Sequence, residues 1–361
     1  MPTPIPRPMS LCAELTYRCP LKCVYCSNPL HMSRYADELD TENWTRVLHE
    51  AAALGVIHVH FSGGEPLLRP DLCELVKAAR EADLYTDIST SAFTANRETF
   101  ESLKEAGLDS VQVSLLDSNS EGNDLIAGTA SFDQKCSAIE TAKELGFPVT
   151  LNVVLHRHNL DRMTEVLDMA CDWGVERIEL AHVQYVGWAF ENRAELLPTR
   201  EQLTRAKEIA NEYVEKTRGK MFVLHVLPDY YQSRPKACLS GWGSQFITVA
   251  PDGAVLPCQT AREIPGLEFP NVRDDSLSWI WHESDVFNKF RGTDWLPEPC
   301  QSCEYKEADF GGCRCQAFLM TGDASRTDPV CHLAPDHDLV LHAINEAESS
   351  SNDFTYRTVR A

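Results

Sequence analysis

The chain has 361 residues, of which 43% are hydrophobic, so it can bury a large core and is too long for one small domain. Its 33 basic and 54 acidic residues give a formal net charge of −21, which repels phosphate backbones and anionic membranes and argues against nucleic acid or a membrane as a partner. No apolar signal segment opens the chain, and no stretch reaches the roughly 20 apolar residues of a membrane span, which predicts a cytoplasmic protein.

Short apolar runs rich in β-branched residues alternate with amphipathic segments at a spacing of about 25 to 35 residues, which is typical of βα units around a parallel sheet. Several amphipathic segments end at a glycine, as helices do before a strand. Six units are too few to close an eight-stranded barrel, so we expect an α/β fold, a partial (β/α)6 barrel with its site at the carboxyl ends of the strands. The predicted strands are 11–16, 56–61, 84–89, 110–115, 149–155 and 177–181, and the predicted helices are 41–54, 71–82, 96–106, 132–145 and 160–173.

A helix over 200–216 and a strand over 221–227 follow, and then the composition changes. From 230 to 332 the chain has many prolines, glycines and tryptophans, seven cysteines and little regular periodicity. This pattern indicates a small domain held together by metal centres more than by an apolar core. We therefore expect a barrel domain over 1–229, a cluster-binding domain over 230–346 and a polar, disordered tail over 347–361.

Cys19, Cys23 and Cys26 form a tight CxxxCxxC loop directly after the first predicted strand. A cluster of four irons takes four thiolates, so three leave one iron open for a substrate or cofactor. A zinc knuckle is the alternative, but zinc sites close a tetrahedron and the nearby His31 has an unsuitable spacing. Fourteen cysteines in a reducing compartment are not a disulfide framework, which favours metal ligation for the clustered ones.

The CxxxCxxC spacing with Tyr25 directly before the last cysteine resembles the radical S-adenosylmethionine (SAM) enzymes. The resemblance implies a 4Fe–4S cluster on Cys19, Cys23 and Cys26 and SAM as cofactor. It also implies that the GGE turn after the second strand, made of Gly63, Gly64 and Glu65, contacts the amino group of SAM. Taken alone, a Gly-Gly pair is more often a plain turn.

By the same resemblance, Ser114 lies near the ribose of SAM and Asn152 near the cofactor, although polar residues at strand ends are as often satisfied core residues. The segment 89–92 has an alanine where many relatives have a glycine. His156, Arg157 and His158 follow the fifth strand at the expected active edge, so proton transfer is a possible role beside a structural one.

The cysteines of the second region resemble the twin-cluster SPASM extension of this family. The usual pattern has a cysteine six residues after the CxxC pair Cys300 and Cys303, where this chain has Asp309. Ligation by Asp309 supplies the missing ligand, and an ordinary solvated acid is the alternative, as is zinc for the whole set. The implied sets are Cys238/Cys258/Cys313/Cys315, for which 2Fe–2S is one option, and Cys300/Cys303/Asp309/Cys331, expected to be 4Fe–4S. The remaining cysteines, Cys12, Cys73, Cys136 and Cys171, are expected to be small buried hydrophobes.

Further stretches narrow the resemblance to the radical SAM enzymes of pyrroloquinoline quinone (PQQ) biosynthesis: 26–30, 59–68, 151–159, 228–231, 269–273, 290–295 and 310–318. This subgroup joins the γ-carbon of a glutamate to a ring carbon of a tyrosine in the precursor peptide PqqA. The resemblance therefore implies a peptide cyclase of the oxidoreductase class. The implied partners are PqqA, a separate peptide chaperone, PqqD, and an electron donor such as flavodoxin.

Two other functions fit the same motifs. One is another SPASM peptide modifier, either thioether-forming or sulfatase-maturing, which would act on a different peptide. The other is a non-catalytic electron-transfer protein that uses its clusters as a wire. The second alternative predicts no SAM binding, whereas the GGE turn and the missing fourth cluster ligand both favour binding.

Overall fold

The computed structural model describes residues 5–348 and 353–357. The strands are β1 (Ser10–Thr16), β2 (His58–Gly63), β3 (Tyr85–Thr90), β4 (Ser110–Ser114), β5 (Val149–Leu155), β6 (Arg177–His182), β7 (Phe222–Val226), β8 (Phe246–Val249) and β9 (Val255–Leu256). The helices are α1 (Thr41–Leu54), α2 (Leu72–Glu81), α3 (Arg97–Ala106), α4 (Ser120–Ala127), α5 (Phe132–Glu144), α6 (Met163–Trp173), α7 (Trp188–Glu191), α8 (Arg193–Leu196), α9 (Arg200–Lys216), α10 (Leu277–Glu283), α11 (Asp285–Asn288), α12 (Lys306–Asp309), α13 (Arg314–Thr321) and α14 (Asp338–Ala347). The predicted strands and helices are confirmed, with their ends shifted by at most three residues.

The described residues form two compact units that do not follow the chain in sequence. The first unit combines 5–18, 31–86 and 229–342, and the second combines 19–30, 87–228, 343–348 and 353–357. One junction between the units falls at 228/229, one residue before the expected boundary at 229/230, and the first two βα units group with the C-terminal region. Of the predicted polar tail over 347–361, residues 349–352 and 358–361 lie outside the described residues.

In the first unit, β1 lies between β2 and β8 and is parallel to both. Leu11 of β1 is opposite Val59 of β2 and Ile247 of β8, and all three side chains are buried. An antiparallel hairpin joins β8 to β9. Helix α1 packs against α2 and α10, and Trp44 and Trp281 are fully buried. The region 230–332 therefore contains more regular structure than its sequence pattern indicates.

In the second unit, residues 87–90 of β3 begin a parallel series that continues through β4, β5, β6 and β7. Alternate residues of these strands are fully buried, among them Val111, Leu151 and Ile178, as expected for a strand with one face in the core. Within the described residues, β7 pairs with β6 and with no other strand, so the series does not close into a full barrel.

The ends of three strands position the predicted site residues. Strand β1 ends at Thr16, directly ahead of the cysteine loop, and β2 ends in the GGE turn. Strand β5 ends at Leu155, directly ahead of His156. Loops after the carboxyl ends of parallel strands carry the active sites of barrel enzymes.

Candidate iron-sulfur and cofactor site

The cysteine loop, residues 19–26, has no helix or strand and is held by backbone hydrogen bonds within the second unit. The amide of Lys22 donates to the carbonyl of Ala127 (2.8 Å), and the amide of Val24 donates to that of Ile126 (3.2 Å). The carbonyl of Cys26 accepts from the amide of Trp188 (3.0 Å). The loop is therefore held from the end of α4 and the start of α7.

The three thiols of this loop are half-buried and lie close enough to affect one another. Burial, together with negative charge on Cys26 and Cys19, raises the pKa of Cys23 to about 12. A raised pKa disfavours the thiolate, so forming three adjacent thiolates requires a nearby cation. A bound metal provides that charge and deprotonates its thiol ligands. This donor set fits an iron-sulfur cluster.

The GGE turn belongs to the first unit and crosses the backbone just before the cysteine loop. A Cβ added to Gly64 would lie 2.7 Å from the carbonyl oxygen of Tyr17 and closer still to that of Arg18. The amide of Gly64 donates to the carbonyl of Thr16 (2.6 Å), and that of Glu65 donates to Arg18 (2.9 Å). The close approach of two backbones explains the glycine, and the Glu65 side chain beside it is fully buried.

Ser114 and Asn152 are neighbours across β4 and β5 in the second unit, and both are half-buried. Behind them lies the fully buried Lys135 of α5, whose Nζ donates to the carbonyls of Ser114 (2.7 Å) and Ser91 (3.0 Å). Ala92, which stands where many relatives have glycine, has the left-handed φ of +57°. A residue with a Cβ there costs roughly 1 to 2 kcal/mol.

His156 differs from the other two residues proposed for proton transfer. Arg157 donates through Nε to the carbonyl of Leu197 (2.7 Å), and the Nε2 of His158 lies 2.9 Å from the carbonyl oxygen of Glu195. The ring of His156 is fully buried and 6.0 Å from that of Tyr25.

Burial holds the pKa of His156 well below its usual value, so the ring is neutral. Its Nδ1 accepts from the amide of His158 (3.2 Å), which leaves the ring proton on Nε2. No described residue hydrogen-bonds to this Nε2. The Nε2 of His156 is therefore a buried donor without a partner among the described residues, which is not found for the side chains of Arg157 and His158.

Four cysteines of the first unit, Cys238, Cys258, Cys313 and Cys315, lie close together. The Sγ atoms of Cys258 and Cys315 are 3.8 Å apart. Hydrogen bonds among the thiols raise the pKa of Cys238 and Cys315 and lower that of Cys258 and Cys313. Each thiol affects the pKa of two of the others, so the four lie in a ring with the sulfur donors that a small iron-sulfur cluster takes.

A buried carboxylate holds this ring in place. Asp328 accepts hydrogen bonds from the amides of Cys313 (2.8 Å) and Val330 (3.0 Å) and from Nε2 of Gln316 (2.8 Å). Burial raises the pKa of Asp328 to about 7. The guanidinium of the buried Arg314 adds bonds to several backbone carbonyls of 311–326.

The second predicted set also lies together in the first unit. Burial raises the pKa of Cys300 and of Cys331, and the charge of Asp309 raises both further. The charge of Cys303 acts on Cys331 in the same way. Asp309 ends the short helix α12, and its Oδ1 accepts from the amide of Gly311 (2.9 Å). The carboxylate therefore stands close enough to affect two of the three thiols.

The family model of the Radical SAM superfamily matches residues 13–170, and the family model of the SPASM iron-sulfur cluster-binding domain matches residues 238–304. The chain is 50% identical to a PqqA peptide cyclase of Gluconobacter oxydans, over 99% of each chain. It is 48% identical to a PqqA peptide cyclase of Methylocella silvestris, over 100% of this chain and 98% of that one. This chain belongs to the PqqA peptide cyclase family.

Solved structures share the fold of this family member. Streptococcus suis SuiB bound to S-adenosylmethionine matches with a TM-score of 0.73 and 21% identity, over 90% of this chain and 77% of SuiB. Native anSMEcpe with bound AdoMet and a peptide matches with a TM-score of 0.66 and 17% identity, over 94% and 99%. The predicted fold, a partial radical SAM barrel with a SPASM domain, is confirmed.

Membership in the PqqA peptide cyclase family also confirms the predicted class, a radical SAM enzyme with iron-sulfur binding domains. The alternative of a non-catalytic electron-transfer protein is therefore wrong. Across the described residues, the helices are all too short or too polar to span a bilayer.

One expectation about the other cysteines is wrong. Cys171 is exposed, and Cys12, Cys73 and Cys136 are half-buried, so none is a fully buried core residue. Cys73, Cys136 and Cys171 lie at the margin of the apolar stripe of their helices, where one side of the side chain meets water.

Three residues around the site were not predicted: Lys135, Asn192 and Asp328. Lys135 had a signal, because it stands in the apolar stripe of α5 with Phe132, Ile139 and Ala142, where a lysine needs an internal partner. Asn192 and Asp328 lie in irregular segments and had no such signal.

Proposed function

We propose that this chain is a PqqA peptide cyclase, which joins the γ-carbon of a glutamate to a ring carbon of a tyrosine in the PqqA precursor, an early step of PQQ biosynthesis. The observation that carries the proposal is 50% identity over nearly the full length to a relative of that name. A thioether-forming or sulfatase-maturing activity has weaker support, because the relatives named above are PqqA peptide cyclases and the likeness to SuiB and anSMEcpe shows only the fold.

The first cluster, a 4Fe–4S cluster, is assigned to Cys19, Cys23 and Cys26. With SAM bound, it supplies the 5′-deoxyadenosyl radical that takes hydrogen from the substrate. The protein contributes a loop whose backbone is fixed by neighbouring segments, so the three sulfurs are held in one arrangement.

SAM is assigned to two groups of residues. Gly63, Gly64 and Glu65 receive its amino group, which suits a buried carboxylate beside a glycine turn. Ser114 is assigned to the ribose and Asn152 to the cofactor beside it, which their adjacent positions on β4 and β5 support. Tyr25 of the cysteine loop is assigned to the cofactor as well.

The two auxiliary clusters would carry electrons to or from the reaction. The ring of Cys238, Cys258, Cys313 and Cys315 is assigned a 2Fe–2S cluster. The second set, Cys300, Cys303, Asp309 and Cys331, is assigned a 4Fe–4S cluster with one carboxylate ligand. The effect of Asp309 on the neighbouring thiols supports this ligand.

Loss of one electron and one proton from the tyrosine ring completes the crosslink, and His156 is the residue assigned to receive the proton. The basic nitrogen of the neutral ring is Nδ1, which accepts from the amide of His158, so the ring takes up a proton at Nδ1 once that hydrogen bond opens. Arg157 and His158 are assigned structural roles because backbone carbonyls engage their side chains.

The partners are PqqA, the chaperone PqqD that presents it, and an electron donor such as flavodoxin. The test combines the reduced holoenzyme, SAM, PqqA and PqqD and measures 5′-deoxyadenosine and the mass of the peptide. A peptide lighter by two hydrogens, with the new bond between glutamate and tyrosine, supports the proposal. Formation of 5′-deoxyadenosine with an unchanged peptide, or a thioether product, would overturn it.

A further inference from the structure

Residues 353–357, near the end of the chain, lie against the cysteine loop within the second unit. The guanidinium of Arg357 donates through Nη2 to the carbonyl of Cys19 (3.2 Å) and to that of Leu21. This packing differs from the unattached polar tail predicted from the sequence.

Asn192 ties the same segment to the loop a second time. Its side chain is buried, and its Nδ2 donates to the carbonyls of Val24 (2.9 Å) and Thr355 (2.9 Å). Its Oδ1 accepts from the amide of Thr355 (2.7 Å). One amide side chain therefore satisfies the backbone of both segments, which fixes their spacing.

The segment packs against the end of α4 and the glycine that follows this helix. The hydroxyl of Tyr356 donates to the carbonyl of Leu125 (2.7 Å), and the Tyr356 ring lies over Gly128. A Cβ at Gly128 would lie 2.9 Å from that ring, and the residue has a φ of +64°. The ring of Phe354 packs edge-on against His158 at 5.0 Å.

We propose that residues 353–357 form a C-terminal strap that holds the cysteine loop in its cluster-binding conformation, with Arg357 as the positioning residue. The strap acts through backbone carbonyls because the loop has no regular secondary structure to order them. An irregular loop loses more conformational entropy on cluster binding when nothing orders it beforehand. This role rests on the proposed function in one respect, the binding of the first cluster by Cys19, Cys23 and Cys26.

The test compares Arg357→Met with Arg357→Lys. Lysine keeps the positive charge but lacks the guanidinium that hydrogen-bonds to two carbonyls. Arg326→Met is the matched control, since Arg326 is an exposed arginine paired with Asp336 in the first unit. Tyr356→Ala removes the strap by a second route.

Hydrogen exchange by mass spectrometry on the anaerobic holoenzyme reports the loop directly. We expect the peptide covering the cysteine loop to exchange about tenfold faster in Arg357→Met, with Arg357→Lys between that value and wild type and Arg326→Met unchanged. We also expect the SAM-responsive electron paramagnetic resonance signal to be lost to a chelator about tenfold faster, while auxiliary-cluster signals persist.

Wild-type exchange of the loop in both Arg357→Met and Tyr356→Ala would overturn the strap. If Arg357→Met does not fold, hydrogen exchange of the cysteine loop in Tyr356→Ala alone tests the strap. A wild-type protein that makes no 5′-deoxyadenosine would refute the proposed function instead, and the exchange comparison would still decide whether the strap holds the loop.

Discussion

Gly64→Ala tests the close contact between the GGE turn and the segment that leads into the cysteine loop. The new Cβ would lie 2.7 Å from the carbonyl oxygen of Tyr17, whereas ordinary contacts begin at 3.4 Å. The backbone must therefore move by about 1 Å, at a cost of ~1 to 3 kcal/mol, and a misplacement of that size lowers a catalytic rate by ~100-fold.

The assay is the kcat/KM of the reduced holoenzyme for SAM, followed through 5′-deoxyadenosine. We expect Gly64→Ala to lose about two orders of magnitude while its iron content stays the same, because the three cysteines are intact. Gly174→Ala is the control. Gly174 has a φ of +62° and nothing within 4 Å of its Cβ position, so this variant should lose ~1 kcal/mol of stability and keep its SAM turnover. A Gly64→Ala enzyme within about threefold of wild type would refute the steric argument.

Other expected outcomes address the clusters and the buried charges. Cys23→Ala should abolish SAM cleavage while auxiliary iron remains, as iron analysis would measure; residual 5′-deoxyadenosine above background would contradict the assignment. Asp309→Ala should change the spectrum of one auxiliary cluster and lower crosslinking more than SAM cleavage; unchanged auxiliary spectra would make Asp309 a bystander. Glu14, buried beside Tyr17, has its pKa raised by burial from 4.5 to about 7, so its contribution to stability is present below pH 4.5 and is lost as the pH rises to about 7. In the wild type, the free energy of unfolding should fall by up to ~3 kcal/mol over that pH window, and in Glu14→Gln this fall should be absent, as measured by urea unfolding at successive pH values. An identical pH dependence in the two proteins would contradict the prediction.

Much of the barrel could be predicted because its signals are local. Helices α1, α3 and α6 end at Gly55, Gly107 and Gly174, each in the left-handed conformation, as the glycine pattern indicates. The pairing of β8 with β1 could not be predicted, since it joins residues 10–13 to 246–249 and leaves no local pattern. The grouping of the first two βα units with the C-terminal region follows from that long-range pairing.

The candidate site also contains some residues that the sequence predicts and others that it does not. Cysteine spacing and the GGE triplet are readable in sequence, because neighbouring ligands must fit one metal cluster or one turn. The side chains that hold these ligands are far away in sequence: Asn192 is 168 residues from Val24, and Arg357 is 338 residues from Cys19. Their partners are backbone carbonyls, which any residue type supplies. Such positions carry no compositional signal and need a structure to be found.

The central claim is that this chain crosslinks PqqA by a SAM-derived radical when a chaperone presents the peptide. The most direct measurement is the mass of PqqA after incubation with the reduced holoenzyme and SAM, with and without PqqD. We expect a loss of two hydrogens with PqqD and 5′-deoxyadenosine with little crosslink without it. No mass change in the presence of PqqD, under conditions in which 5′-deoxyadenosine accumulates, would contradict the account.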